Sequence, residues 1–311
     1  MEFLVTMQQV IMMFCFIGLG LLAGKLGWVT QEGNAGLTKV VIWFVLPALV
    51  ITSFQRPFSM DVLREMGIAF AASVVSYALC VALSYVIFGR RIPKDERTAL
   101  RYGAVYANVG FLGVPLVQAL FGADGVFFAV MYLAAFNIFT WTHGFGMFTG
   151  GQTIRSRLAR FARNPNLMAL TLGLVLFVAS IQLPDIVATG LGYLAGMNAP
   201  LSMMVVGVSL ATVRWREFLT AGWCWVGVAV RNVAFPMITL GVLYLAPLNS
   251  VARMSVLTLA SCPVAAFVVM FSVMNKVDPR FATRLMCIST ALSILTLPAM
   301  LALGHFVLAG S

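Results

Sequence analysis

Apolar runs of membrane-spanning length occupy almost the whole chain. They fall at about residues 3–24, 36–54, 65–88, 102–122, 125–147, 166–183, 186–212, 218–246, 254–275 and 281–307. About 20 apolar residues in a helix cross the ~30 Å hydrocarbon core of a bilayer, so the pattern predicts ten spanning helices. Of the 311 residues, 61% are hydrophobic and 10% are charged, whereas a soluble domain carries about 25% charged residues. The connections are too short for a separate soluble domain. An all-α integral membrane protein follows, with the lipid bilayer as an obligatory partner.

A net charge of +10 in a soluble chain would suggest nucleic acid. Here the charge sits in loops. With the N-terminus outside, the inside loops hold Lys25 and Lys39, then Arg90, Arg91, Lys94, Arg97 and Arg101, then Arg155, Arg157, Arg160 and Arg163, then Arg214 and Arg216, and finally Lys276, Arg280 and Arg284. Outside loops hold Arg56, Arg64 and Arg253. Sixteen against three is the positive-inside asymmetry, and no nucleic-acid partner is expected. Ten spans put both termini outside the cytoplasmic membrane. Glu2 and the lack of a basic n-region argue that the first helix is not a cleaved signal. Cys15, Cys80, Cys224, Cys262 and Cys287 are scattered through apolar runs without a C-x-x-C pair. They indicate neither disulfides nor a zinc site, and no metal or cofactor is expected.

The basic stretch "GGQTIRSRLARFARNPN" divides the chain into spans 1–5 (residues 1–150), a linker (151–165) and spans 6–10 (166–311), all within one membrane domain. Five is odd, so two like halves would form an inverted repeat, as in many secondary transporters. The fourth and ninth spans match weakly. The uncharged window 102–123 contains Pro115, and the equal window between Arg253 and Lys276 contains Pro263.

The stretch "NVGFLGVPL" (108–116) places Asn108, Gly110, Gly113 and Pro115 near the midpoint of a span. Proline removes a donor and clashes with the preceding turn. Unwound backbone inside a membrane must face protein or a water-filled cavity. If the helix unwinds over this stretch, the half-helix after Pro115 would aim its positive N-terminus at the midplane, and a break near Pro263 would do the same from the other half, where an anion can bind. Asn108 and Ser261 would add polar groups. Arg231 lies inside the eighth span with no intramembrane acid to pair with, so it faces a cavity, an anion or unwound carbonyls. Asn137 and Tyr132 are further candidates to line a cavity. Asp124, Asp185 and Asp278 all stand at span ends, which favours an anionic cargo over a cation. His143 is expected at an interface. Gly20 and Gly24 fit small-xxx-small helix packing rather than a nucleotide fingerprint. No protease or other catalytic constellation is present, so an enzyme is not expected.

These motifs also carry a resemblance. "GLLAGKLGWVTQEGNAGLTKVVIWFVLPALVITSF", "NVGFLGVPLVQALFG", "GVSLATV" and "ASCPVAAFVV" resemble the first two, fourth, seventh and ninth spans of the auxin efflux carrier family. That family includes bacterial organic-acid permeases of the malonate-transporter type. The resemblance implies ten transmembrane helices in a 5+5 inverted repeat, with broken, crossed helices 4 and 9. It implies a scaffold of spans 1, 2, 6 and 7, and a transport domain of spans 3–5 and 8–10 that moves as an elevator. It carries the family's fourth-span Asn and Pro onto Asn108 and Pro115, and its ninth-span Pro onto Pro263. The plant carriers' ninth-span Asn and long cytosolic loop have no counterpart here, so the resemblance points to the organic-acid branch.

The expected function is secondary transport of small mono- or dicarboxylates across the cytoplasmic membrane. A cation-coupled exchanger or inorganic-ion transporter of the same fold is the alternative. The expected partners are the substrate anion, the bilayer and, as a further candidate, a second copy of the chain.

Overall fold

The structure is a computed structural model that describes residues 2–149, 164–211 and 222–308. Residues 151–163 of the expected linker, with Arg155, Arg157, Arg160 and Arg163, lie outside the described residues, as do Arg214 and Arg216. The helices are α1 (Glu2–Lys25), α2 (Gln31–Ser53), α3 (Met60–Ile87), α4 (Lys94–Val105), α5 (Val109–Thr149), α6 (Pro165–Val178), α7 (Asp185–Leu210), α8 (Gly222–Leu245), α9 (Ser250–Ala260), α10 (Phe267–Met274) and α11 (Arg280–Leu308). No strand occurs among the described residues.

Six of these helices, α2, α3, α5, α7, α8 and α11, are long and apolar enough to cross a membrane, where the sequence predicts ten spans. The difference has a local cause. α4, α9 and α10 are fragments either side of interruptions, α5 runs 41 residues through two predicted segments, and among the described residues α1 over Ile11–Lys25 and α6 over Pro165–Val178 are shorter apolar helices. Gly122 interrupts α5 with φ +61° and ψ −151°, a backbone state open to glycine and strained for other residues. α7 is interrupted at Met197, within the stretch "GMNAP" (196–200).

Three prolines explain three other irregularities. Each follows a π turn by two residues: Pro47 after Val41–Val45, Pro115 after Val109–Gly113, and Pro236 after Val230–Ala234. In each case the residue just before the proline bonds five back: Leu46 N to Val41 O, Val114 N to Val109 O, and Phe235 N to Val230 O. This widening lets the pyrrolidine ring avoid the carbonyl it would meet in a regular α-helix. The helices therefore continue past these prolines.

The packing forms two groups. α1 lies along the Asn198–Leu210 part of α7, and Leu46–Ser53 of α2 packs on α6 and on Asp185–Gly196 of α7. The second group surrounds the centre of α5. There α9 and α3 pack on Val114–Phe139, while α4 and α8 pack on α11. Every residue of α5 from Gly125 to Asn137 is buried, so the deepest core lies in this second group.

Candidate functional site at two paired helix breaks

α4 stops at Val105 and α5 starts at Val109. α9 stops at Ala260 and α10 starts at Phe267. The two gaps meet. Ala107 pairs with Val264 in an antiparallel bridge. Ala265 N donates to Tyr106 O at 2.9 Å, and Asn108 N donates to Pro263 O at 2.7 Å. Pro263 has no amide to leave stranded, and its carbonyl is used. Pro115 lies outside the break, in the first turn after the π turn. The half-helix thus begins at Val109 rather than after the proline, because the π turn absorbs Pro115.

Arg231 and Asn232 sit in the π turn of α8 and hold both breaks. The Arg231 guanidinium donates to Val105 O at 2.9 Å, to Ala104 O at 3.1 Å, and to Ala260 O. These carbonyls are the C-terminal ends of α4 and α9, which have no intrahelical donors. Arg231 is 2% exposed. Of the settings open to it on sequence, the structure places it on unwound carbonyls. Asn232 works through α11. Ser289 Oγ donates to Asn232 Oδ1 at 2.6 Å and accepts from Val264 N at 3.0 Å. The amide of Asn232 returns to Ser289 O at 3.0 Å.

A cavity of about 80 Å³ lies beside the pair. Its walls are Asn108 and Phe111 at the start of α5, Ala266 at the start of α10, Thr38 on α2, four residues of α7 from Val205 to Leu210, and Met286 and Thr290 on α11. The hydroxyls there are already donors: Thr38 to Asn34 O, Ser209 to Val205 O and Thr290 to Met286 O. Asn108 is different. It is 7% exposed, lines the cavity, and its side-chain amide has no partner among the described residues. One water needs roughly 10–15 Å³ of such space, so the cavity has room for several waters or a small carboxylate.

The other predicted residues are distributed as follows. Gly113 fits the break against the facing helix, where an added Cβ would stand 3.1 Å from Cys262 Sγ and from Leu259 Cγ. Gly110 lies in the first turn of α5, and its Cβ would meet only Leu46 Cδ1 at 3.7 Å. Ser261 is fully buried, and its hydroxyl donates to Leu257 O at 2.7 Å. It does not line the cavity. Asn137 bonds to Leu133 O and accepts from Asn164, the N-cap of α6, both at 2.8 Å. Tyr132 packs on Tyr77 with ring centroids 4.9 Å apart. Asn137 and Tyr132 are therefore not brought to the cavity.

Sequence reasoning missed Asn232, Ser289 and Tyr106. Asn232 follows Arg231 in the same intramembrane stretch, and that adjacency was the available signal. Tyr106 also binds His143. Its hydroxyl donates to Phe139 O at 3.0 Å and lies 2.8 Å from His143 Nδ1, while Tyr85 OH lies 3.1 Å from Nε2.

The family model described as membrane transport protein matches the chain twice, over residues 5–154 and 152–301. The chain belongs to this family. The match bears out the resemblance to auxin efflux carriers carried by the span motifs. An uncharacterized transporter of Methanothermobacter thermautotrophicus is 25% identical over 301 residues, covering 96% of this chain and 98% of that protein. One from Methanocaldococcus jannaschii is 23% identical over 314 residues, covering 94% and 97%. In this membrane transport protein, then, the same family model fits each half, and each half contributes one of the two paired breaks.

Proposed function

We propose that this membrane transport protein is a secondary transporter of small organic anions, mono- or dicarboxylates, working by alternating access with an elevator-like motion. The observation that carries the reading is Asn108, a buried residue that lines a cavity at the start of α5 and α10 and makes no side-chain hydrogen bond among the described residues. Helix N-termini favour negative charge, an amide NH2 donates to carboxylate, and an acid that would favour a cation does not line the cavity.

The architecture proposed with it is a ten-span 5+5 inverted repeat in the cytoplasmic membrane, with both termini outside. A helix as long as α5 measures about 60 Å at ~1.5 Å per residue, twice the hydrocarbon thickness, and Gly122 divides it. α4 with the start of α5 makes the fourth span, and α9 with α10 makes the ninth. The elevator reading draws on the two packing groups, α1, α2, α6 and α7 against the rest. The cavity lies where α2 and α7 face the breaks, as a site carried past a fixed scaffold requires.

Proteoliposome uptake of radiolabelled acetate, malonate and succinate tests the proposal. Asn108→Ala should lower uptake more than tenfold with unchanged melting temperature. Flux that ignores these carboxylates and follows a cation gradient would replace it with the exchanger reading.

A further inference from the structure

Among the described residues, Arg231 is the one buried cation, and the transport reading does not use it. The ion pairs among the described residues, Arg56 with Asp124 and Arg280 with Asp278, involve other arginines. The titratable side chains near Arg231 are Tyr77 and Cys80 on α3, Tyr132 on α5 and Cys262 in the second break. All four are neutral types at ordinary pH. What Arg231 meets is Ala104 O, Val105 O and Ala260 O.

Four helix ends converge at the paired breaks. The C-terminal ends of α4 and α9 carry partial negative charge, and the N-terminal ends of α5 and α10 carry partial positive charge. Left alone, the two kinds would largely cancel. Arg231 binds both negative ends and adds a full positive charge. The positive ends are those beside Asn108 and Ala266, which line the cavity.

We infer that Arg231 is the positioning residue that sets the charge selectivity of this cavity. By capping the C-termini of α4 and α9 it leaves the net potential at Asn108 positive, so the cavity takes an anion and rejects a cation without Arg231 touching the ligand. The inference rests on the reading of this cavity as the substrate site. It deepens that reading by naming what determines the sign of the cargo.

The test uses a carboxylate built into the chain, so it needs no transported substrate. Asn108→Asp places a carboxyl in the cavity, and isotope-edited infrared spectroscopy of the purified full chain follows its ionisation. A nearly buried carboxyl with no compensating charge titrates well above the ordinary Asp value of about 3.9. Beside a positive potential it should titrate at or below about 4, and the melting temperature should hold or rise between pH 4 and 7.5. In Arg231→Gln with Asn108→Asp, whose glutamine keeps donors but no charge, the same carboxyl should titrate at least one unit higher and above the unfolded value of about 3.9. The melting temperature should then fall as pH rises, because a folded-state value above the unfolded one loses stability in that direction. Arg231→Lys, which keeps the charge, should leave the titration within half a unit of the single variant. Titration above about 6 in Asn108→Asp alone overturns the inference, even if Arg231→Gln fails to fold. Equal titration with and without the Arg231 charge also overturns it. Failure of carboxylate uptake in the wild type would instead strike the transport reading and leave this result standing.

Discussion

The contact between α1 and α7 offers a perturbation whose size can be worked from distances. A Cβ at Gly207 would stand 2.0 Å from Ile17 O, 2.7 Å from Leu21 N and 2.9 Å from Gly20 Cα, and one at Gly20 would stand 2.2 Å from Met204 O. These neighbours are backbone atoms, so no rotamer change relieves them. Gly207→Ala must open the helices by about 1.4 Å to restore an ordinary 3.4 Å contact. A gap of 0.5–1 Å already forfeits a quarter to a half of each dispersion contact, and overpacking of this kind costs about 1–3 kcal/mol. A 2.0 Å clash with fixed backbone lies in the upper part of that range, about 2–3 kcal/mol, and alanine returns roughly 0.5–1 kcal/mol through better helix propensity, so the net loss is about 1–2.5 kcal/mol. At about 2–4 °C per kcal/mol, the melting temperature in detergent should fall by about 2–10 °C, read by tryptophan fluorescence. Gly190→Ala is the control, because nothing lies within 4 Å of its added Cβ; it should hold or raise the melting temperature. If Gly207→Ala melts with the control, the backbone contact of α1 and α7 is not what the structure describes.

Three further outcomes follow. Ser289→Ala strands Val264 N and Asn232 Oδ1; at about 1–3 kcal/mol for a buried unsatisfied group, it should lower the melting temperature and speed hydrogen exchange at Val264. Tyr106→Phe removes the donor to Phe139 O and the partner of His143 Nδ1, and should cost about 1 kcal/mol in the same melting assay. Cys80, Cys224, Cys262 and Cys287 are buried, and Cys15 is exposed only on the lipid-facing middle of the first span, so a membrane-impermeant maleimide should label none of the five in the native protein and all five after unfolding, by mass spectrometry.

Helical membrane character, Gly20 and Gly24 as a packing seam, and the two interrupted spans were legible because each has a local cause. Run length reports apolarity, small residues report close approach, and Asn–Gly–Pro clusters report weak helix. The partner of the seam, Gly207, was not legible, since it lies across the fold. The exact break was misplaced toward Pro115 for a physical reason. A π turn absorbs a proline without ending the helix, and the three such turns, Val41–Val45, Val109–Gly113 and Val230–Ala234, share no residue pattern that marks them. Ser261 and Asn137 look like free polar groups in a sequence, but a hydroxyl or amide one turn from a carbonyl bonds to its own helix when nothing better is near. Arg231 drew notice as an intramembrane charge. Its partners are carbonyls, and backbone leaves no mark in the sequence.

The paired breaks make a demand on the chain that can be measured by dividing it. Within a membrane an unsatisfied backbone group has no water to turn to. In the first half, Ala104 O, Val105 O and Tyr106 O accept from Arg231 and Ala265, and Asn108 N donates to Pro263 O. The three partner residues, Arg231, Ala265 and Pro263, all belong to the second half. Residues 1–150 alone would therefore bury four unsatisfied groups, at about 1–3 kcal/mol each, or roughly 4–12 kcal/mol together. That equals the whole stability of an ordinary fold. Residues 1–150 and 151–311 expressed separately should be degraded or aggregate, and co-expression should recover a monodisperse complex by size-exclusion chromatography. A stable, monodisperse first half on its own would show that the break closes without its counterpart, and the pairing of Ala107 with Val264 would lose its role as the reason for two breaks rather than one.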